Sequence, residues 1–289
     1  MGLIETEETN QFTFEAFATH TFYTEVNRSL VQQALAHLET FAQDASITIV
    51  DMACGTGAVT RLIAEELARQ GRLEQAHLIG IDPSAEALRR ARKGMEANGF
   101  HAHADFIQGE ATDLPNIVHD ADMAFFCNAI HLVPDKGQAF KLVAEILRPH
   151  GIFACNSAFY QGTYVSGTEK FYHLWTRRAM GWLRKEHPEV RVSRDAKAMA
   201  MQWLTPDEYI ALMKQNGFQQ VDRLEIDAVI SLDAWRDLGQ YWLFIEGALP
   251  GIPLALGAQA LEVAVYQAGQ ELNLNAVPRT WLQMVAIKG

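Results

Sequence analysis

The sequence predicts an α/β protein with a seven-stranded, mostly parallel sheet, an antiparallel last strand and an inserted, mainly helical cap. Three observations support this fold class. Strand-like apolar runs alternate with amphipathic segments, acidic residues end the first two runs, and two long segments interrupt the later part of the pattern. The 289 residues, 49% of them apolar, are enough for one large core with additions.

The first strand leads into the segment around which the chain is organised. Residues 47–50, Ile-Thr-Ile-Val, run into Asp51 and then into the small-residue turn Met-Ala-Cys-Gly-Thr-Gly, which opens a helix over residues 58–70. Gly55 and Gly57 carry no Cβ, so the backbone of this turn can approach a ligand with the N–H groups of the helix start. The stretch therefore predicts a ligand-binding strand-turn-helix.

The ligand predicted for this turn is a cation and not a dinucleotide. A dinucleotide loop, G-x-G-x-x-G, has a third small residue at the position that Thr60 occupies here. Asp51 would repel a pyrophosphate but would attract S-adenosylmethionine, which carries an ammonium and a sulfonium and no phosphate. On this stretch alone, an ordinary strand-turn-helix without a ligand is the alternative.

The following segments repeat the pattern of an apolar run ending in a polar turn. A second strand over residues 78–82 ends in Asp82, where an acid can accept hydrogen bonds from the two hydroxyls of a ribose, and Pro83 follows it. The later strands and their turns are residues 105–108 before Glu110 and Ala111, residues 121–127 before Asn128 and His131, and residues 152–156 after a helix at 137–147.

The order and spacing of these segments resemble the class I S-adenosylmethionine-dependent methyltransferases of small molecules, which have a Rossmann-like fold. The resemblance covers residues 47–157 well and 205–232 moderately. It implies S-adenosylmethionine as cofactor, held by Asp51, Ala53, Gly55 and Gly57 at the methionine end, Asp82 at the ribose, Glu110 and Ala111 at the adenine, and also by Pro83 and the backbone of Asn128. Two positions depart from the family pattern: Ala53 replaces the first glycine, and Glu110 stands where many members have Asp.

The segment before the first strand, residues 12–38, predicts one or two helices. In the family that the sequence resembles, such a leading helix closes over the cofactor. Tyr23 is therefore a candidate for contact with the cofactor, and His20 for contact with the substrate. Simple packing of an amphipathic helix on the sheet is the alternative for each residue.

Two insertions form the predicted cap, residues 158–204 and 231–279, while residues 1–157, 205–230 and 280–289 form the methyltransferase core with its N-terminal helices. The core resumes after the first insertion with a helix start, Thr-Pro-Asp-Glu, in the form of a capping box. A sixth strand then follows, and the seventh lies near the end of the chain. An unstructured loop as long as the second insertion would be improbable, so it is expected to be helical, with stretches near residues 233–246 and 256–272.

The composition of the cap indicates the class of acceptor. Ligands of open α/β sheets bind beyond the carboxyl ends of the strands, and aromatic residues there suit a ring or an alkyl chain. Tyr160, Tyr172 and Trp242 are the substrate candidates, and the alternative is that they form the core of the cap. The bases of residues 158–202, including Arg194 and Lys197, indicate a solvated face first, then an anionic substrate or a membrane surface.

Methyl transfer depends mainly on aligning the two reactants in a site that excludes water. It requires a base only when the acceptor is still protonated at neutral pH. His131, just past the fourth strand, is the best-placed titrating residue and the predicted catalytic residue. A structural hydrogen-bonding role for it is equally compatible with the sequence. The expected reaction is methylation at oxygen. Methylation at carbon or nitrogen, or a non-catalytic cofactor-binding protein on the same fold, are the alternatives.

Charge and cysteine content exclude several classes. A net charge of -11 argues against nucleic acid as a partner, and a small-molecule acceptor is expected instead. The acidic first ten residues do not resemble a signal peptide and no apolar run reaches spanning length, so a cytoplasmic protein is expected. The three cysteines, Cys54, Cys127 and Cys155, are expected to be reduced. No acid cluster accompanies His101 and His103, so no metal is expected. The sequence leaves the oligomeric state open.

Overall fold

The computed structural model describes residues 9–40, 45–191 and 203–289, and the chain divides into two compact units. The larger unit consists of Thr24–Gln161, Gln202–Ile226 and Trp281–Gly289, and the smaller unit of Met1–Tyr23, Gly162–Met201 and Asp227–Thr280. The sequence-based boundaries assign the whole N-terminal segment to the core, whereas the structure divides that segment after Tyr23. Arg194 and Lys197 lie outside the described residues.

The described residues contain one seven-stranded sheet. Its strands are β1 (Ile47–Met52), β2 (Ala76–Asp82), β3 (Ala104–Gln108), β4 (Ala121–Cys127), β5 (Leu147–Ser157), β6 (Phe218–Ser231) and β7 (Ala276–Lys288). The spatial order is β3-β2-β1-β4-β5-β7-β6. Neighbouring pairs from β3 to β5 are parallel, and β7 is antiparallel to β5. The predicted Rossmann-like fold with an antiparallel last strand is confirmed.

The helices of the described residues lie between these strands and in the two insertions. In chain order they are α1 (Glu15–Ala18), α2 (Thr21–Ala36), α3 (Ala58–Arg69), α4 (Ala85–Ala97), α5 (Leu114–Ile117), α6 (Lys136–Ile146), α7 (Glu169–Glu186), α8 (Pro206–Gln215), α9 (Leu232–Leu238), α10 (Trp242–Ala248) and α11 (Leu254–Leu272). None of them is both long and apolar enough to cross a lipid bilayer.

The two faces of the sheet in the larger unit carry separate apolar cores. Successive residues of a strand point to opposite faces, so Ile49 packs in one core with Phe125, while Val50 packs in the other with Phe126. All seven residues of β4 are buried, which explains why this central strand is a nearly continuous apolar run. The cofactor candidates Asp51 and Asp82 lie at the carboxyl ends of β1 and β2.

The smaller unit has an aromatic core built on α7, α9 and α11. Trp175 and Trp235 are fully buried, and their ring centroids lie 6.1 Å apart. The indole N–H of Trp175 donates to the carbonyl of Leu261 at 2.8 Å, and that of Trp235 donates to the carbonyl of Val277 at 3.3 Å. These tryptophans therefore form the core of the insertions, which was the alternative for the cap aromatics.

The second insertion contains α9, α10 and α11, and β7 begins within it at Ala276. Its helical part has one break that the sequence pattern did not indicate. The pattern predicts a single helix near residues 233–246, but the structure has α9 and α10 with Gly239 between them. The backbone N–H of Trp242 donates to the carbonyl of Phe12 at 3.0 Å. In one continuous helix this N–H would donate to the carbonyl four residues earlier. Because it donates to the N-terminal segment instead, α10 begins as a separate helix.

Candidate functional site

The turn between β1 and α3 has a left-handed backbone at alternate positions. Ala53, Gly55 and Gly57 have φ values of 51°, 54° and 78°. The N–H of Gly57 donates to the carbonyl of Cys54 at 2.9 Å, which closes the turn immediately before the helix begins. Glycine relieves the strain of this conformation at two of the three positions, and Ala53 adopts it with a Cβ.

The two glycines of this turn have different surroundings. A Cβ added at Gly57 would lie 3.0 Å from the Cβ of Ala91 on α4, so Gly57 is required for close packing. A Cβ added at Gly55 would meet no atom within 4 Å, because it would point into open space beside the turn. Gly55 is therefore the glycine of this turn that leaves room for a ligand.

Asp82 at the end of β2 is hydrogen-bonded to the turn. Its Oδ2 accepts from the N–H of Gly55 at 2.8 Å, and its Oδ1 accepts from the N–H of Ser84 at 3.0 Å. The side chain is only 8% exposed. These bonds orient the carboxylate and hold the ends of β1 and β2 together, so the first two motifs of the sequence form one site.

Asp51 is buried at the end of β1, where its Oδ2 accepts from the hydroxyl of Thr60 at 2.6 Å. Burial raises its pKa to about 7, the Thr60 hydrogen bond opposes the rise, and the charge of Asp82 adds to it. Thr60 is therefore the partner of the site acid, at the position where a dinucleotide loop would have a small residue. The ionisation of Asp51 changes near neutral pH.

The residues predicted to contact the adenine begin a short helical turn that is closed by a capping box. The N–H of Glu110 donates to Oδ2 of Asp113 at 2.8 Å, while the side chain of Glu110 accepts from the backbone of Asp113. Glu110 is exposed, and Ala111 begins a short helical turn. Pro83 is exposed, and its carbonyl accepts from Nε2 of Gln108 at 2.9 Å.

Asn128, at the end of β4, lies in a network of buried amides. It has a φ of 57°, and its N–H donates to Oδ1 of Asn156 at 2.9 Å. Its Nδ2 donates to Oδ1 of Asn27 at 2.9 Å, and its Oδ1 accepts from the indole N–H of Trp281 at 3.0 Å. The resemblance implies a cofactor contact through the backbone of Asn128, and the N–H of that backbone is bonded within the protein.

His131 is buried, with 7% of its surface exposed, in a short helical turn after β4. Its Nδ1 lies 3.1 Å from Oγ of Ser157, and its ring stacks on Phe159 with the centroids 4.4 Å apart. Oγ of Ser157 also accepts from the N–H of Phe159 at 2.9 Å. These contacts hold the imidazole in one orientation.

Tyr160, a substrate candidate, belongs to the core of the larger unit. It has no exposed surface, and its hydroxyl donates to Oε2 of Glu225 at 3.2 Å. It packs in the same apolar core as Phe140 and Tyr209. These contacts favour a packing role for Tyr160, but in the core of the larger unit and not in the core of the cap.

The other candidates from outside the motifs lie in the smaller unit. His20 contacts Asp237, with Nε2 and Oδ2 2.7 Å apart. Tyr23 is buried, and its ring centroid lies 5.6 Å from that of Phe14. Trp242 is 7% exposed at the start of α10.

Tyr172 lies beside the buried Arg279. The guanidinium carbon of Arg279 is 5.3 Å from the centroid of Tyr172, 5.1 Å from that of Tyr164 and 5.8 Å from that of Trp235. Burial raises the pKa of the Tyr172 phenol, and the charge of Arg279 opposes the rise. This group of three aromatic rings around Arg279 is called the arginine cluster below.

The site residues that the sequence analysis missed are side chains that orient the predicted ones. Thr60, Asn27, Asn156 and Ser157 belong to this class. A polar residue within an apolar pattern is the one signal available, and it applies to Thr60 on α3 and to Asn27 on α2. Among the described residues, no three His, Cys, Asp or Glu side chains are grouped to hold a metal ion.

Comparison with known proteins places the chain in a family. A family model described as a methyltransferase domain matches residues 43–202, more than half of the chain. An arsenite methyltransferase from Halobacterium salinarum is 24% identical over 198 residues, which are 67% of this chain and 44% of that protein. A 2-phytyl-1,4-naphtoquinone methyltransferase from Thermosynechococcus vestitus is 27% identical over 177 residues, which are 60% of this chain and 73% of that protein.

A solved structure has the same fold. It is a SAM-dependent methyltransferase from Thiobacillus denitrificans in complex with S-adenosyl-L-homocysteine, with a TM-score of 0.57 and 18% identity, and the match covers 98% of this chain and all of that one. The family match, the fold and the turn that joins Asp82 to Gly55 agree. The chain belongs to the methyltransferase-domain family, and its resemblance to the class I S-adenosylmethionine-dependent methyltransferases is confirmed.

Proposed function

We propose that the protein transfers the methyl group of S-adenosylmethionine to an oxygen atom of a small, partly apolar or aromatic acceptor. The observation that carries the proposal is the attachment of Asp82 to the glycine turn through the N–H of Gly55. This contact brings an oriented carboxylate next to a backbone with room for a ligand. When bound, the cofactor supplies an electrophilic methyl group on a sulfonium.

The described residues fit this cofactor. A carboxylate has about four acceptor positions, so Asp82 can accept its two backbone N–H groups together with two ribose hydroxyls. The open space at Gly55 allows close approach to the backbone. Asp51 contributes a negative charge to the same turn when it is ionised, which favours a ligand that carries positive charge.

His131 is the proposed base for a hydroxyl acceptor. When its Nδ1 carries the proton and donates to Oγ of Ser157, Nε2 is unprotonated and can take a proton from the acceptor. In the other tautomer, Ser157 donates to Nδ1, and Nε2–H is itself a donor. The proposal requires the first tautomer, in which Oγ of Ser157 accepts from both His131 and the N–H of Phe159.

The helical insertions, proposed as the cap, select the acceptor. They carry the arginine cluster, in which Tyr164 is 37% exposed and Tyr172 is half-buried. Aromatic faces beside a guanidinium suit an acceptor with an apolar or aromatic body and an electron-rich group. His20, oriented by Asp237, is a histidine of the smaller unit that is proposed to contact the acceptor.

Methylation at carbon is the second candidate. The relatives described above are named for a naphthoquinone and for arsenite, and neither name describes an alcohol or a phenol. A carbon acceptor that is already nucleophilic has less need of the His131 base. This difference separates the two reactions experimentally.

The test has two stages. Calorimetry with S-adenosylmethionine measures donor binding to the full chain. A panel of phenols, alcohols, carboxylic acids and quinones is then incubated with methyl-labelled donor, and mass spectrometry locates the label in any product. A methyl ether or ester supports the proposal, and a carbon-methylated product replaces it with the second candidate. Donor binding without turnover on any acceptor points to a cofactor-binding protein, and absence of donor binding contradicts the proposed function.

A further inference from the structure

The turn that carries His131 is held from a distant part of the chain. Strands β4 and β5 end side by side, with Cys127 opposite Asn156 in the register. Asn128 follows Cys127 with a left-handed backbone, and the turn of His131 comes directly after it. Ser157, the hydrogen-bond partner of the imidazole, directly follows Asn156. The orientation of His131 therefore depends on two segments that must be held together.

Asn27 on α2 adds a side-chain link between these two segments, beside the direct bond from the N–H of Asn128 to Oδ1 of Asn156. Its side chain is fully buried, and its Oδ1 accepts from Nδ2 of Asn128 and from Nδ2 of Asn156, both at 2.9 Å. Two N–H donors from different strands thus converge on one amide oxygen. Trp281 completes the network by donating its indole N–H to Oδ1 of Asn128.

The helix that carries Asn27 is fixed next to the same strand ends. Nε2 of Gln283 donates to the carbonyl of Val26 at 2.6 Å, and its Oε1 accepts from Nε2 of Gln33 at 2.8 Å. Gln283 lies on β7, directly opposite Asn156 on β5. The helix therefore has a polar attachment that does not involve Asn27, so Asn27 is not required merely to dock it.

We infer that Asn27 is a positioning residue that fixes the tautomer and orientation of His131 by linking Asn128 to Asn156. A buried polar group that loses its partner is costly, so the two donors hold Asn27 in one rotamer, and it holds them in return. The inference rests on the proposed function only for the role of His131 as a base. The hydrogen-bond linkage itself can be measured without any acceptor.

The test is nitrogen-15 NMR of the histidine rings in the full chain, with the His131 signals assigned from their loss in His131→Gln. Asn27→Leu removes the shared acceptor at similar volume, and Asn27→Asp restores an oxygen at the same place. The control is Gln33→Leu, which removes a polar contact from the same helix but leaves the amide network intact. We expect Asn27→Leu to convert the single-tautomer shifts of His131 to averaged ones, while Asn27→Asp and the control keep the wild-type pattern.

The inference would be overturned if folded Asn27→Leu keeps the wild-type His131 shifts. It would also be overturned if Gln33→Leu shows averaged His131 shifts. If Asn27→Leu does not fold, Asn27→Ser is measured instead, because its shorter side chain keeps a hydroxyl but does not reach both amides. Wild-type shifts in folded Asn27→Ser would likewise count against it. Donor calorimetry on the wild type is run in parallel. If Asn27→Leu loses the single-tautomer pattern of His131 and the wild type binds no donor, the linkage is supported and the proposed function is rejected.

Discussion

Oδ2 of Asp82 accepts a hydrogen bond from the backbone N–H of Gly55 at 2.8 Å, across 27 residues of sequence. This contact joins the acid at the end of the second strand to the glycine turn after the first. It brings two segments that are separate in the sequence into one candidate binding site. Because Asp82 also accepts from Ser84, its orientation is set before any ligand binds.

Asp82→Ala is expected to weaken the binding of S-adenosylmethionine by about 2 to 3 kcal/mol, because it removes the proposed acceptor of two ribose hydroxyls. Isothermal calorimetry measures the change, and thermal unfolding checks that the variant is folded. Asp105→Ala is the control, since Asp105 is an acid on the neighbouring strand β3 with 71% of its side chain exposed. Wild-type affinity in folded Asp82→Ala would reject the assignment of the donor site.

Valine at the two glycines of the turn should have different effects. Both substitutions place a side chain on a left-handed backbone, at a cost of about 1 to 2 kcal/mol each. Gly57→Val adds a clash with Ala91 and should have the lower melting temperature. Gly55→Val should fold and fail to bind donor, because its side chain fills the open space beside the turn. Normal donor binding by Gly55→Val would show that this space is not the site.

The pKa of Asp51, raised from 3.8 to about 7, predicts a pH-dependent stability. Between these two values the folded state keeps a proton that the unfolded state has lost, so stability falls as the pH rises. From pH 5 to pH 8 this group should lower the free energy of unfolding by about 2 to 3 kcal/mol. Asp51→Asn should lack that part of the decline in urea titrations at the two pH values. A decline of equal size in Asp51→Asn would contradict the prediction.

Donor binding should respond to Asp51 in the opposite direction. Ionisation of the buried carboxyl near neutral pH favours a ligand that carries positive charge. The affinity for S-adenosylmethionine should therefore rise between pH 6 and pH 8 in the wild type, and calorimetry should show a smaller rise in Asp51→Asn. Parallel affinity curves for the two proteins would show that Asp51 does not interact with the donor.

Tyr172→Phe tests whether the smaller unit selects the acceptor. The substitution keeps the ring beside Arg279 and Trp235 but removes the phenol. For the acceptor identified in the screen, the Michaelis constant is expected to rise several-fold, with the donor dissociation constant unchanged. Tyr209→Phe is the control, since Tyr209 lies in the core of the larger unit. An unchanged Michaelis constant in Tyr172→Phe would remove this residue from the acceptor site.

The proposed donor site follows from local signals in the sequence. An apolar run that ends in Asp51 and a turn with glycine at Gly55 and Gly57 follow from strand burial and backbone sterics, which act over a few neighbouring residues. Repeated strand-helix units favour a mostly parallel sheet, which explains why the fold class was confirmed, whereas the strand order is seen only in the structure. The division of the N-terminal segment after Tyr23 has no such local signal.

The sheet, the glycine turn and the acids at the strand ends can be predicted from residue type, because each depends on short-range spacing. The side-chain partners of Asn156 and His131 are seen in the folded protein alone. Asn27 meets Asn156 across 129 residues, and Ser157 meets His131 across 26. Such contacts arise from strand register and helix docking, and these bring together polar groups whose burial requires a partner that no local pattern specifies.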